Sequence, residues 1–279
     1  MSLPTILSYI IWDVNPDIFT IPYIDHPLRW YGLFFAGALV VSQQIMQYIY
    51  RKEGRSESEV DTLAIYMVIA TVVGARLGHV LFYDPVYYFQ NPLEIPMVWQ
   101  GGLASHGGAI GVLLALYLFA RKTDVPYLWI LDRVTIVASL TGFMIRMGNL
   151  MNSEMIGLPT TLPWGFIFTS TDKIPRHPAQ LYEAIYCLVL FVFLLTTWYR
   201  YRARMQNGFM FGWFLVVLFT LRFVDEFFKT NQEAFEDDLL LNMGQILSIP
   251  FVLSGIIILI LNARRKKETT GAQLNAMDN

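Results

Sequence analysis

The sequence predicts an all-α integral membrane protein of about seven transmembrane helices with small outer loop elements, and three observations carry that prediction. Apolar residues make up 55% of the chain and charged residues only 15%, whereas an average soluble domain is about a quarter charged. Apolar runs close to the roughly 20 residues needed to cross a bilayer recur along the chain. Lys and Arg collect at alternate ends of those runs, as the positive-inside rule requires of a multi-pass protein.

The runs lie near Trp30–Tyr50, Val60–Phe82, Gly107–Ala120, Tyr127–Ile145, Pro178–Trp198, Gly208–Phe227 and Gly244–Leu261, the third being short. Arg51, Lys52 and Arg55 follow the first, Arg121 and Lys122 the third, Arg200, Arg202 and Arg204 the fifth, and Arg264 to Lys267 the last. These ends are expected to face the cytoplasm. Asp84–Ser105, Asn149–Arg176 and Lys229–Asn242 are poor in Lys and Arg, and Glu233, Glu236, Asp237 and Asp238 make the last of them acidic. They are expected to face outward together with the N-terminus. Met1–Pro27 has no Lys or Arg, so it lacks the basic region of a cleavable signal peptide and is expected to stay on the protein. Trp12, Phe19 and Tyr23 suit a segment lying at the membrane interface.

The chain is thus divided into an outer interfacial segment 1–27 and a seven-helix transmembrane domain 28–263. The domain's outer loops fall at about 84–106, 146–177 and 228–243, and a polar tail, 264–279, is expected to be disordered in the cytoplasm. Trp30, Trp99, Trp129, Trp164 and Trp198 sit near span ends, where an indole ring rests among headgroups. The single cysteine, Cys187, has no second thiol to pair with, which excludes disulfides and cysteine-based metal sites and leaves it a packing residue. The net charge of −2 gives no reason to expect a nucleic-acid partner.

An ionisable residue inside a span costs about 3 kcal/mol on insertion scales, so each one asks for a reason. Arg76 and His79, His106, Asp132 and Arg133, Arg146, and Arg222, Asp225 and Glu226 form such a set, and most fall in the outer half of the membrane. A shared polar cavity opening outward is expected. In Gln100–Gly111, His106 stands between two glycine pairs; it is either a general base, since imidazole titrates near neutrality, or a residue satisfying a carbonyl in a tight turn. In Arg146–Gly157, the planar guanidinium of Arg146 suits phosphate, Asn149 and Asn152 add neutral donors, and Glu154 is placed to orient an arginine or a neighbouring polar group. The alternative is an arginine reaching to the interface ahead of an ordinary loop.

Arg222 and Glu226, four apart, share a helical face and form either a pair that makes burial tolerable or half of an anion clamp with Arg146. His177-Pro178 opens the fifth span in the way proline opens helices. Gln180, Tyr182 and Glu183 on that apolar helix line the cavity or bond between helices. Tyr31 offers a hydroxyl to the cavity. Gly74, Ala75 and Gly78 allow tight helix contact, and Arg76 and His79 beside them fit a structural role.

Taken together, these motifs resemble the prolipoprotein diacylglyceryl transferases. Arg146–Gly157 is similar to that family's signature R-x-G-N-F-x-N-x-E-x-x-G, departing at Ile145 and Leu150, both packing positions. The resemblance runs in order through Trp30-Tyr31-Gly32, Gly74-Ala-Arg76-Leu-Gly, Gly101–Gly108, His177–Glu183, Arg222–Phe228 and Asn242–Pro250. It implies transfer of a diacylglyceryl group from phosphatidylglycerol to the lipobox cysteine of a prolipoprotein signal peptide, with release of glycerol 1-phosphate and no metal or organic cofactor. It also implies a multi-pass protein of the bacterial cytoplasmic membrane, N-terminus periplasmic and active site towards the periplasm, among membrane lipids. His106, Arg146, Arg222 and Glu226 are then the expected catalytic residues. Tyr31, Asn149, Asn152, Glu154, Gly157, His177, Gln180 and Tyr182 are expected at the substrate. His106 is the candidate base, although a positive field alone can lower a thiol pKa. A transporter is the rival reading, since charges beside Gly-interrupted helices also mark transport sites, but the chain shows no internal repeat.

Overall fold

The structure is a computed structural model and describes residues 9–22, 25–230 and 240–277. The chain is mainly helical: α1 (Trp30–Lys52), α2 (Glu57–Phe82), α3 (Pro85–Gln90), α4 (Ser105–Thr123), α5 (Tyr127–Met151), α6 (Ala179–Tyr201), α7 (Phe209–Asp225) and α8 (Met243–Met277). Five of these, α1, α2, α5, α6 and α8, are long and apolar enough to cross a membrane. The other two long helices fall short on length or polarity: α7 has 17 residues, and α4 has 19 with Ser105 and His106 at its start and Arg121 and Lys122 at its end. Large aliphatic side chains stand exposed along the helices, among them Leu39, Val40, Ile65, Ile69, Val189 and Ile257. Apolar surface in such amount is stable only against lipid or a partner.

Packing divides the chain into two units, Gln43–Val134 and the remainder. Within the first, α2 and α4 approach so closely that a β-carbon on Gly74 would lie 2.4 Å from the Gly107 carbonyl oxygen and one on Gly111 2.2 Å from that of Ala70. Glycine is what permits this contact. Ser56 caps α2, accepting from the Ser58 N–H, and Glu57 and Glu59 complement the helix dipole. Arg133 is buried, pairing with Glu53 at 2.9 Å and lying over Trp129. That arrangement makes the charge inside the span tolerable.

In the second unit α7 packs on α8, with Phe219 stacked on Phe251 and Gly212 against Gly255. α8 opens with a reciprocal cap: the Gln245 N–H donates to Asn242 Oδ1 at 2.9 Å and the Asn242 N–H to Gln245 Oε1 at 3.1 Å. The segments before α1 and between α5 and α6 form two small sheets. β1 (Ile10–Trp12) pairs in parallel with β4 (Phe166–Phe168), which pairs antiparallel with β5 (Pro175–Arg176). β2 (Asp17–Ile21) and β3 (His26–Arg29) form a hairpin. Trp12 donates to the Leu150 carbonyl at 3.0 Å, tying this platform to the end of α5.

In the N-terminal segment, residues 10–12 and 17–21 supply strands to both sheets. One expectation needs correction. The tail expected to be disordered continues α8 as helix to Met277, and Ala263, Ala272, Gln273, Leu274 and Ala276 are residues of good helix propensity. Tyr23, Glu233, Glu236, Asp237 and Asp238 lie outside the described residues.

Candidate active site

Five helix termini of the second unit meet at one end: the start of α1, the end of α5, the start of α6, the end of α7 and the start of α8. The end of α5 abuts the start of α1 through Gly148, where a β-carbon would fall 2.9 Å from the Tyr31 ring. After α5 the chain turns sharply, with Ser153 and Met155 in the left-handed region at φ 53° and 56°. Such residues cost about 1 kcal/mol or more each and persist only where surroundings hold them. Here the turn brings Glu154 back onto the asparagines, its carboxylate accepting from Asn149 Nδ2 and Asn152 Nδ2, each at 3.2 Å.

Arg146 reaches across to α6, its Nε 2.7 Å from Glu183 Oε2, and donates from Nη1 to Asn149 Oδ1 at 3.2 Å. Glu183 is buried and holds a second cation, the Lys229 ammonium, at 2.5 Å from Oε1. Lys229 in turn stands 3.3 Å from both Asp225 Oδ2 and Glu226 Oε1. Glu226 also accepts from Asn242 Nδ2 at 3.2 Å and lies 3.7 Å from the Arg222 guanidinium. One connected network therefore runs from Asn152 on the loop after α5 to Asn242 at the start of α8.

The wall beside it is built on Gly157. Its N–H donates to the His177 carbonyl at 2.9 Å, Leu158 donates to Phe228 at 2.8 Å, and Gly157 bridges to Lys229. Gln180 is fully buried, and its amide nitrogen donates to the Glu154 carbonyl. Tyr182 shares a hydrogen bond with His177 Nδ1 at 3.1 Å and accepts from Trp164 Nε1 at 3.0 Å. His177 packs its ring on Phe228, and this partial burial pushes its pKa below the ordinary imidazole value. Nearby, Arg176 grips Asp172 at 2.6 Å and holds its carboxyl below the usual range.

The residues expected from sequence at Tyr31, Arg146, Asn149, Asn152, Glu154, Gly157, His177, Gln180, Tyr182, Arg222 and Glu226 all belong to this end of the second unit. His106 belongs to the first unit, exposed in the first turn of α4. The loop before it is fixed by buried Arg76, which donates to the carbonyls of Glu94, Ile95, Gly101 and Gly102 and lies over the Tyr88 ring. Arg76 and the α2 glycines are thus structural in what they touch. Of the two partners open to Glu154, an arginine or a neighbouring polar group, it touches the polar groups of Asn149 and Asn152; Glu183 is the carboxylate on Arg146. Lys229 escaped the sequence reading as a site residue, and Asp225 entered it only as one of the ionisable residues of the expected cavity. Their spacing of four, with Glu226 between them, was the available signal.

Residues 16–261 match the family model described as prolipoprotein diacylglyceryl transferase. The chain is 48% identical to the phosphatidylglycerol–prolipoprotein diacylglyceryl transferase of Tolumonas auensis, over 91% of this chain and 98% of that one. It is 44% identical to the proteins of that name from Chloroherpeton thalassium, over 92% and 96%, and Porphyromonas gingivalis, over 93% and 96% of the respective chains. Family-level similarity over nearly the full length, with the signature arginine, asparagines and glutamate in one hydrogen-bonded cluster, places the chain in the prolipoprotein diacylglyceryl transferase family.

Proposed function

We propose that this protein transfers the diacylglyceryl group of phosphatidylglycerol to the lipobox cysteine thiol in the signal peptide of a prolipoprotein, releasing glycerol 1-phosphate. The observation that carries the reading is the pair of arginines on different helices, Arg146 and Arg222, at one end of the bundle, each with its side chain partly exposed beside its carboxylate partner. A planar fork of donors is suited to a phosphodiester.

In this reading the cysteine sulfur attacks the glyceryl carbon as thiolate, a carbon–sulfur bond forms, and the carbon–oxygen bond to phosphate breaks. The electron pair leaves with the phosphate oxygen. Arg146 and Arg222 bind the phosphate and stabilise the charge gathering on it. Asn149 and Tyr31 fix the headgroup, with Asn152, Gly157, His177, Gln180 and Tyr182 shaping its surroundings. Glu226 orients Arg222, Glu183 orients Arg146, and Glu154 acts through Asn149. His106 takes the thiol proton, or positions lipid if the positive field alone yields the thiolate.

The helices are read as seven spans, α3 being an outer surface helix and α4 and α7 crossing beside their longer neighbours. The basic ends at Lys52, Arg121, Arg200 and Arg264 face the cytoplasm of a bacterium and the site faces the periplasm.

The test is a purified sample in detergent with phosphatidylglycerol and a lipobox peptide, thioether product and glycerol phosphate being followed by mass spectrometry. Product from the parent chain that is lost in both Arg146→Ala and Arg222→Ala supports the reading. No product from the parent removes it, and undiminished turnover in either variant removes the clamp. Parent-like turnover of His106→Gln across pH removes the base assignment.

A further inference from the structure

We propose that Lys229 is a positioning residue for this reaction: it takes up the carboxylates of Glu183, Asp225 and Glu226 so that Arg146 and Arg222 stay open to the lipid phosphate. The inference rests on the transferase reading above. Its starting point is the pairing of charges. Arg146, Arg222 and Lys229 are paired with the carboxyl groups of Glu183, Asp225 and Glu226, and Glu154 joins the same network through Asn149. An anionic lipid headgroup entering it competes with those carboxylates for every guanidinium.

The geometry resolves that competition through the lysine. Its ammonium is a compact charge with three donors, and it sits 2.5 Å from Glu183, 3.3 Å from Asp225 and 3.3 Å from Glu226. Its side chain is only 6% exposed. Its backbone is pinned as well, bridging to Gly157 and donating to the Glu226 carbonyl. Glu226 spends Oε1 on Lys229 and Oε2 on Asn242, which leaves Arg222 with a contact of 3.7 Å, longer than a hydrogen bond, and a side chain 37% exposed. Arg146 keeps Glu183 on Nε and Asn149 on Nη1, and its side chain stays 20% exposed. Without the ammonium, three carboxylates turn to two guanidinium groups.

A merely structural ion pair and this role separate in kinetics. Lys229→Met is expected to raise KM for phosphatidylglycerol on the order of tenfold, the scale of one lost charged hydrogen bond, with a smaller change in kcat. Lys229→Arg is expected to retain most of the affinity. In Lys229→Met with Asp225→Asn, where one competing carboxylate leaves together with the ammonium, KM is expected to fall back towards the parent value. Asp225→Asn alone is expected to bind phosphatidylglycerol at least as tightly as the parent, and this variant decides the matter should Lys229→Met fail to fold. A parent-like KM in Lys229→Met, or a KM in Asp225→Asn raised several-fold, overturns the proposal. Product from the parent chain in the same assay keeps the two claims apart: its absence removes the transferase reading, while its presence beside either adverse result removes the role of Lys229 alone.

Discussion

Gly157 shows how a single missing methyl group shapes the site. A β-carbon there would lie 2.6 Å from the His177 β-carbon and from the backbone oxygens of His177 and Phe228. Neither oxygen can yield, because each already accepts from this strand-like crossing. Gly157→Ala is therefore expected to cost about 1–3 kcal/mol of stability through overpacking and to abolish turnover, since the crossing carries His177 and Lys229 together. Gly32, by contrast, has nothing within 4 Å of a built β-carbon, and Gly32→Ala is expected to melt like the parent. Thermal unfolding of both variants in the same detergent checks the pair. Equal melting of Gly157→Ala and parent would mean that the crossing is looser than its hydrogen bonds imply. The arginine–glutamate link is different in kind: removing one partner of a buried pair leaves an uncompensated charge and costs about 3–5 kcal/mol, so Glu183 is as much a stability residue as a positioning one.

At the scale of elements, the start of α6 joins helix initiation to the site. Pro178 precedes the first turn, where its missing N–H leaves nothing unsatisfied. His177 just before it hangs between Tyr182 and Phe228. Because burial lowers the His177 pKa, the unfolded chain takes up the proton first as pH falls. Its contribution is thus present above the ordinary imidazole value near 6.5 and is lost as pH drops below it. Melting temperatures between about pH 7.5 and about pH 5.5 are expected to fall further for the parent than for His177→Gln, whose amide does not titrate. Parallel curves would show that the ring is not desolvated in the folded protein. The helices themselves were legible in the sequence, because apolar runs and punctuation by Pro178, Gly208 and Ser56 are local signals. The strands were not. β1 and β4 have three residues each and pair across 156 positions, and no local pattern of that length announces a distant partner. The partner of Arg146 was hidden for the same reason: Glu154 is near it in sequence, Glu183 near it in space.

At the scale of the whole molecule, the arrangement of charge is the link between sequence and membrane. Lys229 stands in a stretch otherwise poor in Lys and Arg, and that scarcity reads as topology, which is why its part in the site was not visible beforehand. The structure adds that the loop after α5, the loop before α6 and the loop before α8 gather at one end of one unit. A catalytic end built from those loops must lie on one side of the membrane, and the proposal that this is the outer side rests on the basic residues in the last turns of α1, α4 and α6 and at Arg264–Lys267 within α8. The lone cysteine makes this testable, since Cys187 is buried within α6 and replaceable. Ser58, exposed in the first turn of α2, and Ser170, exposed just beyond β4, report opposite sides in this scheme. In a Cys187→Ala background and intact cells, a membrane-impermeant maleimide is expected to label Ser170→Cys and to spare Ser58→Cys until the membrane is opened. Labelling of Ser58→Cys in intact cells would invert the topology, placing the arginines on the cytoplasmic side, where a sorted signal peptide does not present its cysteine for lipidation.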